Sequence, residues 1–84
     1  MIATYDPEGD ILYITLHDVP VDHTDDVSRA GQYDRGIDYA ADGTVVGYEF
    51  MNASAAIDLD DLPHQAELGA LLTRTQRLRS VGTI

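Results

Sequence analysis

YDPEGDILYITL, residues 5–16, decides the fold. Residues 11–16 alternate, with Leu12, Ile14 and Leu16 on one side and Ile11, Tyr13 and Thr15 on the other, which is the period of a half-buried strand. Residues 2–5 form a short apolar stretch before it, and DPEG between the two carries turn chemistry. Asp6 suits the first turn position, Pro7 supplies the fixed φ of the second, and Gly9 is the expected site of the positive φ that closes a type I turn with a bulge. The chain therefore opens on a β-hairpin.

Downstream, HDVPVDHTDDVS places Asp18, Asp22, Asp25 and Asp26 around Pro20. It reads as a solvated loop running into a weakly apolar strand near 21–28, whose charge suits a sheet edge. RAGQYDRG has two glycines and no period, as a turn or irregular crossover does. Residues 37–40 resume a strand, ADG at 41–43 marks a second tight turn, and 45–51 return with Val46, Tyr48 and Phe50 on one face and Val45, Gly47, Glu49 and Met51 on the other. From Asp58 the period becomes helical. Asp60 or Asp61 can cap, Pro63 fits the first turn, Glu67 lies near the positive end of the dipole, and Arg74, Arg77 and Arg79 lie near the negative end. Leu68, Leu71, Leu72, Thr75 and Leu78 fall on one stripe. The expected fold is α+β: a small antiparallel sheet of four strands at about residues 2–51, meander-like with two hairpins, and one C-terminal amphipathic helix at about 61–79 packed on one face. It forms a single domain over 1–80, with 81–84 as a tail.

The chain has 84 residues and no cysteine. A domain of this size buries only about 60% of the surface its unfolded chain exposes, and disulfides cannot compensate, so a partner, a second copy or a metal is expected to supply the rest. The N-terminus shows neither a basic nor an apolar signal region, and no apolar run approaches the roughly 20 residues of a membrane span. The expectation is a cytoplasmic protein, for which NAS at 52–54 is a chance glycosylation match.

Charge is the strongest compositional feature. Fifteen acids and five arginines, with no lysine, give a net charge of −10. Residues 1–63 hold fourteen acids and two arginines, whereas 64–84 hold one acid and three arginines. Such a distribution disfavours nucleic acid, whose affinity rests on Lys and Arg displacing counterions. It favours solubility or a basic protein partner.

Residues 5–16 together with GIDYAADGTVVGYEFMNAS at 36–54 resemble the DUF2283 family, small bacterial proteins of unknown function. The family pattern falls on Tyr5, Asp6, Asp10, Leu12, Tyr13 and Ile14 in the first hairpin, and on Asp38, Tyr39, Gly43, Val46, Gly47 and Glu49 in the second. The sequence departs at Ala40, where an acid is common, and at Tyr48 and Phe50, where aliphatics are preferred. The resemblance implies a small antiparallel sheet and an occasional setting beside toxin-like proteins; it implies no reaction.

Tyr5, Asp10, Tyr13, Asp38, Tyr39 and Glu49 are the candidate ligand- or partner-binding residues. Tyrosine suits interfaces because its ring buries while its hydroxyl stays paired; Tyr13, opposite Leu12 and Ile14, is expected on the uncovered face beside Tyr39. Glu49 alternates onto a face with Met51 and Val45, where burial would raise its pKa. Asp10 is expected to bond locally at its turn. Asp22, His23, Asp25 and Asp26 are weak metal candidates, since their spacing matches no known loop, and no cofactor is implied. No catalytic residue is identified: Ser28, Ser54 and Ser80 stand in no nucleophile motif and no phosphate loop is present. The expected role is an acidic protein-interaction module, antitoxin-like, that binds a basic partner or a second copy as a homodimer. A metal or small-ligand binder using residues 17–26 is the alternative, and a hydrolase resting on carboxylate abundance alone is third.

Overall fold

The computed structural model describes residues 1–28, 34–55 and 57–82, with side chains through residue 73. Five strands and one helix follow in order: β1 Ile2–Asp6, β2 Ile11–Thr15, β3 His23–Asp26, β4 Arg35–Tyr39, β5 Val45–Met51 and α1 Gln65–Gly82. The strands form one antiparallel sheet in the order β1-β2-β5-β4-β3.

This corrects the expected four-stranded meander in two ways. His23–Asp26 is a fifth strand although all four of its residues are exposed. It sits at the edge, where pairing with β4 alone holds it and no buried face is needed to specify it. Strands β3, β4 and β5 do run as consecutive neighbours, but β5 returns to lie beside β2, so residues 16–22 carry the chain from the sheet interior to its far edge. Of the turn or crossover expected over 29–36, residues 29–33, including Tyr33, lie outside the described residues, whereas Arg35 and Gly36 belong to β4, which starts two residues before the expected strand at 37.

Both hairpins form where the turn residues place them. In the first, Asp10 takes the positive φ of 54°, rather than Gly9 as expected. The loop is four residues long, and aspartate tolerates the left-handed region because its short side chain hydrogen-bonds nearby. In the second, Gly43 takes φ 88°, its N–H donates to the Ala40 carbonyl at 3.0 Å, and the Thr44 N–H donates to Asp42 Oδ1 at 3.0 Å.

One sheet face carries the core. Leu12, Ile14, Ile37, Tyr48 and Phe50 are buried there against Leu62 and Leu68, with Leu71 and Leu72 packed around them. The bulky Tyr48 and Phe50 are thus core residues; their rings stack with centroids 6.4 Å apart. Tyr48 is pinned further by a 2.7 Å hydrogen bond between its hydroxyl and His64 Nδ1. The helix begins at Gln65 instead of near 61, because Asp61 has φ 64° and a turn joins the Leu62 N–H to the Leu59 carbonyl. It continues through Gly82, so the expected tail is helical to that point. The side chains of Arg74, Thr75, Arg77, Leu78 and Arg79 lie outside the described set, as do residues 83–84.

Arg35 is the unexpected member of this face. It is 5% exposed, opposite Phe50 across β4 and β5. Its Nε donates to the Val27 carbonyl at 2.9 Å, and Nη1 donates to the Asp58 and Asp60 carbonyls at 2.9 and 2.7 Å. The Asp58 carboxylate lies 3.7 Å from Nη1. One guanidinium thereby joins the end of β3 to the segment leading into the helix.

Candidate surface site on the open sheet face

Alternation sends the other half of each strand to the face away from the helix. Register then fixes who meets whom. Tyr13 is opposite Glu49, Glu49 is opposite Gly36, and one step along the strands Thr15, Gly47, Asp38 and Thr24 form the next row. Tyr13, Asp38 and Glu49, three of the six residues singled out from sequence, therefore converge.

Their environments differ. Tyr13 is 40% exposed, whereas Asp38 is only 7% exposed and accepts a 2.6 Å hydrogen bond from the Thr24 hydroxyl through Oδ1. Glu49 lies between them. Burial pushes its pKa up; a hydrogen bond from Tyr13 opposes this, and the neighbouring Asp38 charge, with a hydrogen bond between the two carboxyls, adds to it. The Tyr13 hydroxyl is raised as well, first by burial and then by its hydrogen bond and charge interaction with Glu49. Glu49 and Tyr13 therefore both hold their protons more tightly than usual beside the buried Asp38. Ionising all of them is costly unless positive charge arrives.

Two glycines shape the surface. A Cβ on Gly47 would run into the Ile14 carbonyl oxygen, so only glycine allows β2 and β5 this approach. A Cβ on Gly36 would sit 3.2 Å from Thr24 Cγ2 and 3.7 Å from Glu49 Oε2. Glycine there lets the Thr24 methyl and the Glu49 carboxyl close over the β4 backbone, and Gly36 is itself buried beneath them. Two broad surface recesses, one along Leu59–Gly69 and one between His17–Pro20 and Ala40–Thr44, contain none of Tyr13, Asp38 and Glu49.

The remaining candidates lie elsewhere. Tyr5 and Asp10 meet at the first hairpin, where Asp10 Oδ1 accepts from the Tyr5 hydroxyl at 2.7 Å and from the Ser54 N–H at 2.9 Å, while Oδ2 accepts from the Ser54 hydroxyl at 2.7 Å. The bonding of Asp10 is long-range as well as local: it staples the hairpin to the turn after β5. The bonds from Ser54 and Tyr5 hold its pKa below the ordinary carboxylate value. Tyr39 is not beside Tyr13. It shares the helix-side parity of Ile37 and stacks on the His23 ring at 5.2 Å. Of the weak metal candidates, His23 and Asp25 alternate to one face of β3 and Asp26 to the other, and Asp22 Oδ2 pairs with His23 Nδ1 at 2.9 Å. Among the described residues no three potential ligands are grouped so as to hold a metal ion. No described helix is long and apolar enough to cross a membrane.

Sequence reading identified Tyr13, Asp38 and Glu49 but missed Thr24 and Gly36, which complete their surroundings. The signal available was the charged strand expected near 21–28, whose polar pattern gives no face on which to place Thr24. Searches of curated proteins and of solved structures returned no match. The family model described as a protein of unknown function, DUF2283, matches residues 3–54. That span is more than half of the 84-residue chain, and the chain belongs to the DUF2283 family.

Proposed function

We propose that the protein is an acidic protein-interaction module whose open sheet face takes up a basic side chain of a partner. The observation that carries this reading is the diagonal of Asp38 and Glu49, flanked by Tyr13 and by Gly36 and Gly47. A guanidinium or ammonium group laid on the half-buried Glu49 carboxyl would meet that carboxylate, feel the charge of the buried Asp38 behind it and lie near the exposed Tyr13 ring, the combination that cation–π contact and charge-assisted hydrogen bonds both favour. Its positive charge would offset the burial and the neighbouring Asp38 charge that raise the Glu49 pKa. The chain's net charge of −10 would steer such a partner in. In a cell this is the role of an antitoxin-like protein meeting a small basic protein.

Titration with an arginine-rich peptide, followed by backbone amide chemical shifts, tests the reading. The expected shifts centre on Tyr13, Gly36, Gly47 and Glu49 and disappear in Glu49→Gln. Shifts spread evenly over the acidic surface, or confined to 17–26, would overturn the assignment; so would binding of duplex DNA in place of the peptide.

A further inference from the structure

We infer that the β1 edge is a self-association surface on which a second copy of this chain pairs its own β1 antiparallel, extending the sheet across both molecules. The inference stands independently of the role proposed for the open face.

The two ends of the sheet differ in kind. At one end β3 carries His23, Asp25 and Asp26 beside Asp22, all exposed. Charges of this kind are how a sheet edge is kept from pairing with another molecule. At the other end β1 is IATYD: Asp6 is its one acid, and it has no lysine, proline or bulge, with unbroken register to β2 from Ile2↔Thr15 to Asp6↔Ile11. Ile2 is 68% exposed and Tyr5 48% exposed. An edge strand offers its outer backbone groups as a template for another strand, and among the described residues β1 carries no lysine, proline or bulge to discourage it.

Charge selects both the surface and the direction. Two copies each carrying −10 repel each other over most of their surface, and residues 2–5 form the stretch at a sheet edge without a carboxylate. Parallel pairing would stack the two Asp6 side chains. Antiparallel pairing centred on Thr4 separates them by four residues, about 14 Å at 3.4 Å each, beyond the Debye length of about 10 Å at 0.1 M salt. It also sets Tyr5 of each copy against Ala3 of the other, a large side chain facing a small one. The two-fold axis then runs perpendicular to the sheet. Both helices fall on one side and both open faces on the other, with the two Glu49 side chains five strand spacings, or about 24 Å, apart.

Because the chain contains no cysteine, a single introduced one reads the geometry directly. Facing residues of an antiparallel pair have Cα atoms about 4.5–5.5 Å apart, within disulfide range. Thr4→Cys should therefore form a disulfide-linked dimer on mild oxidation, while Ala41→Cys, in the exposed β4–β5 turn, should stay largely unlinked. Sedimentation equilibrium of the parent chain should show a concentration-dependent species of twice 9.2 kDa. Ile2→Asp should abolish that species with the circular dichroism unchanged, and Val21→Asp, near the opposite edge, should not. A parent chain that stays monomeric throughout, a dimer that Ile2→Asp leaves intact, or equal crosslinking of the two cysteine variants would overturn the inference.

Discussion

Replacing Arg35 by leucine removes a buried cation from a site built around it. Three carbonyl acceptors, of Val27, Asp58 and Asp60, lie 2.7–2.9 Å from its nitrogens, and the Asp58 carboxylate lies 3.7 Å away. Hydrogen bonds from a charged donor contribute about 1.5–3 kcal/mol each, but they share one side chain and are offset by its desolvation. The appropriate scale is the loss of one partner from a buried ionic site, about 3–5 kcal/mol. For a chain of 84 residues, total stability at roughly 0.05–0.15 kcal/mol per residue is about 4–13 kcal/mol, so the loss is a large part of the whole. At about 4–8 °C per kcal/mol for a domain of this size, Arg35→Leu should lower Tm by at least about 12 °C, or leave the protein unfolded. Arg35→Lys should recover only part of this, since one ammonium cannot span acceptors on both the β3 end and the 58–60 segment. Thermal and urea unfolding followed by circular dichroism measure both. An Arg35→Leu variant melting within about 4 °C of the parent, a difference of about 1 kcal/mol or less, would refute the view that Arg35 ties these segments together.

Leu68 is fully buried against the sheet, and Leu68→Ala should cost about 2–5 kcal/mol in urea unfolding; Tyr48→Phe, which deletes only the hydroxyl bonded to His64, should cost about 1 kcal/mol. Glu49 has a folded pKa above its ordinary 4.5, so between those values the folded state holds more protons and stability falls as pH rises. Glu49→Gln should flatten that fall and raise Tm at neutral pH, as a pH series of melts would show. Asp10 behaves oppositely: its folded pKa lies below 3.8, so its contribution is complete above that value and lost as pH falls through the lowered one. Asp10→Asn should lower Tm at neutral pH and remove this acid-side decline.

The parts of the fold carried by local signals were legible. Pro7, Asp42 and Gly43 mark turns by backbone chemistry alone, and alternation around Tyr13 and Tyr48 assigns the faces correctly except at Val45, which the irregularity between Asp38 and Tyr39 turns to the core side. What local signals cannot carry is pairing. That Tyr13 faces Glu49, or that β5 lies beside β2, depends on register between segments more than thirty residues apart, and a step of one residue would have put the wrong faces together. The expectation that Tyr39 would sit beside Tyr13 failed for this reason. The charge of residues 21–28 suggested a weak strand at a sheet edge, where β3 lies, but a strand exposed on both faces leaves no hydrophobic period from which to read its bounds or to count it as a fifth strand. Arg35 was passed over because arginine is ordinarily a surface residue, and nothing in RAGQYDRG announces the carbonyls of Asp58 and Asp60 that receive it. The site was half visible: its carboxylates and phenol stand out in the sequence, whereas Gly36 and Thr24 acquire meaning only beside Glu49 and Asp38.

The most direct test of the open face as a receptor for positive charge is the salt dependence of arginine-rich peptide binding, measured by stopped-flow fluorescence on the parent chain and on Glu49→Gln with Asp38→Asn. Association should slow steeply as ionic strength rises, and the double variant should fold but lose most of the affinity. Equal binding by parent and double variant, or a rate indifferent to salt, would contradict that role for the open face.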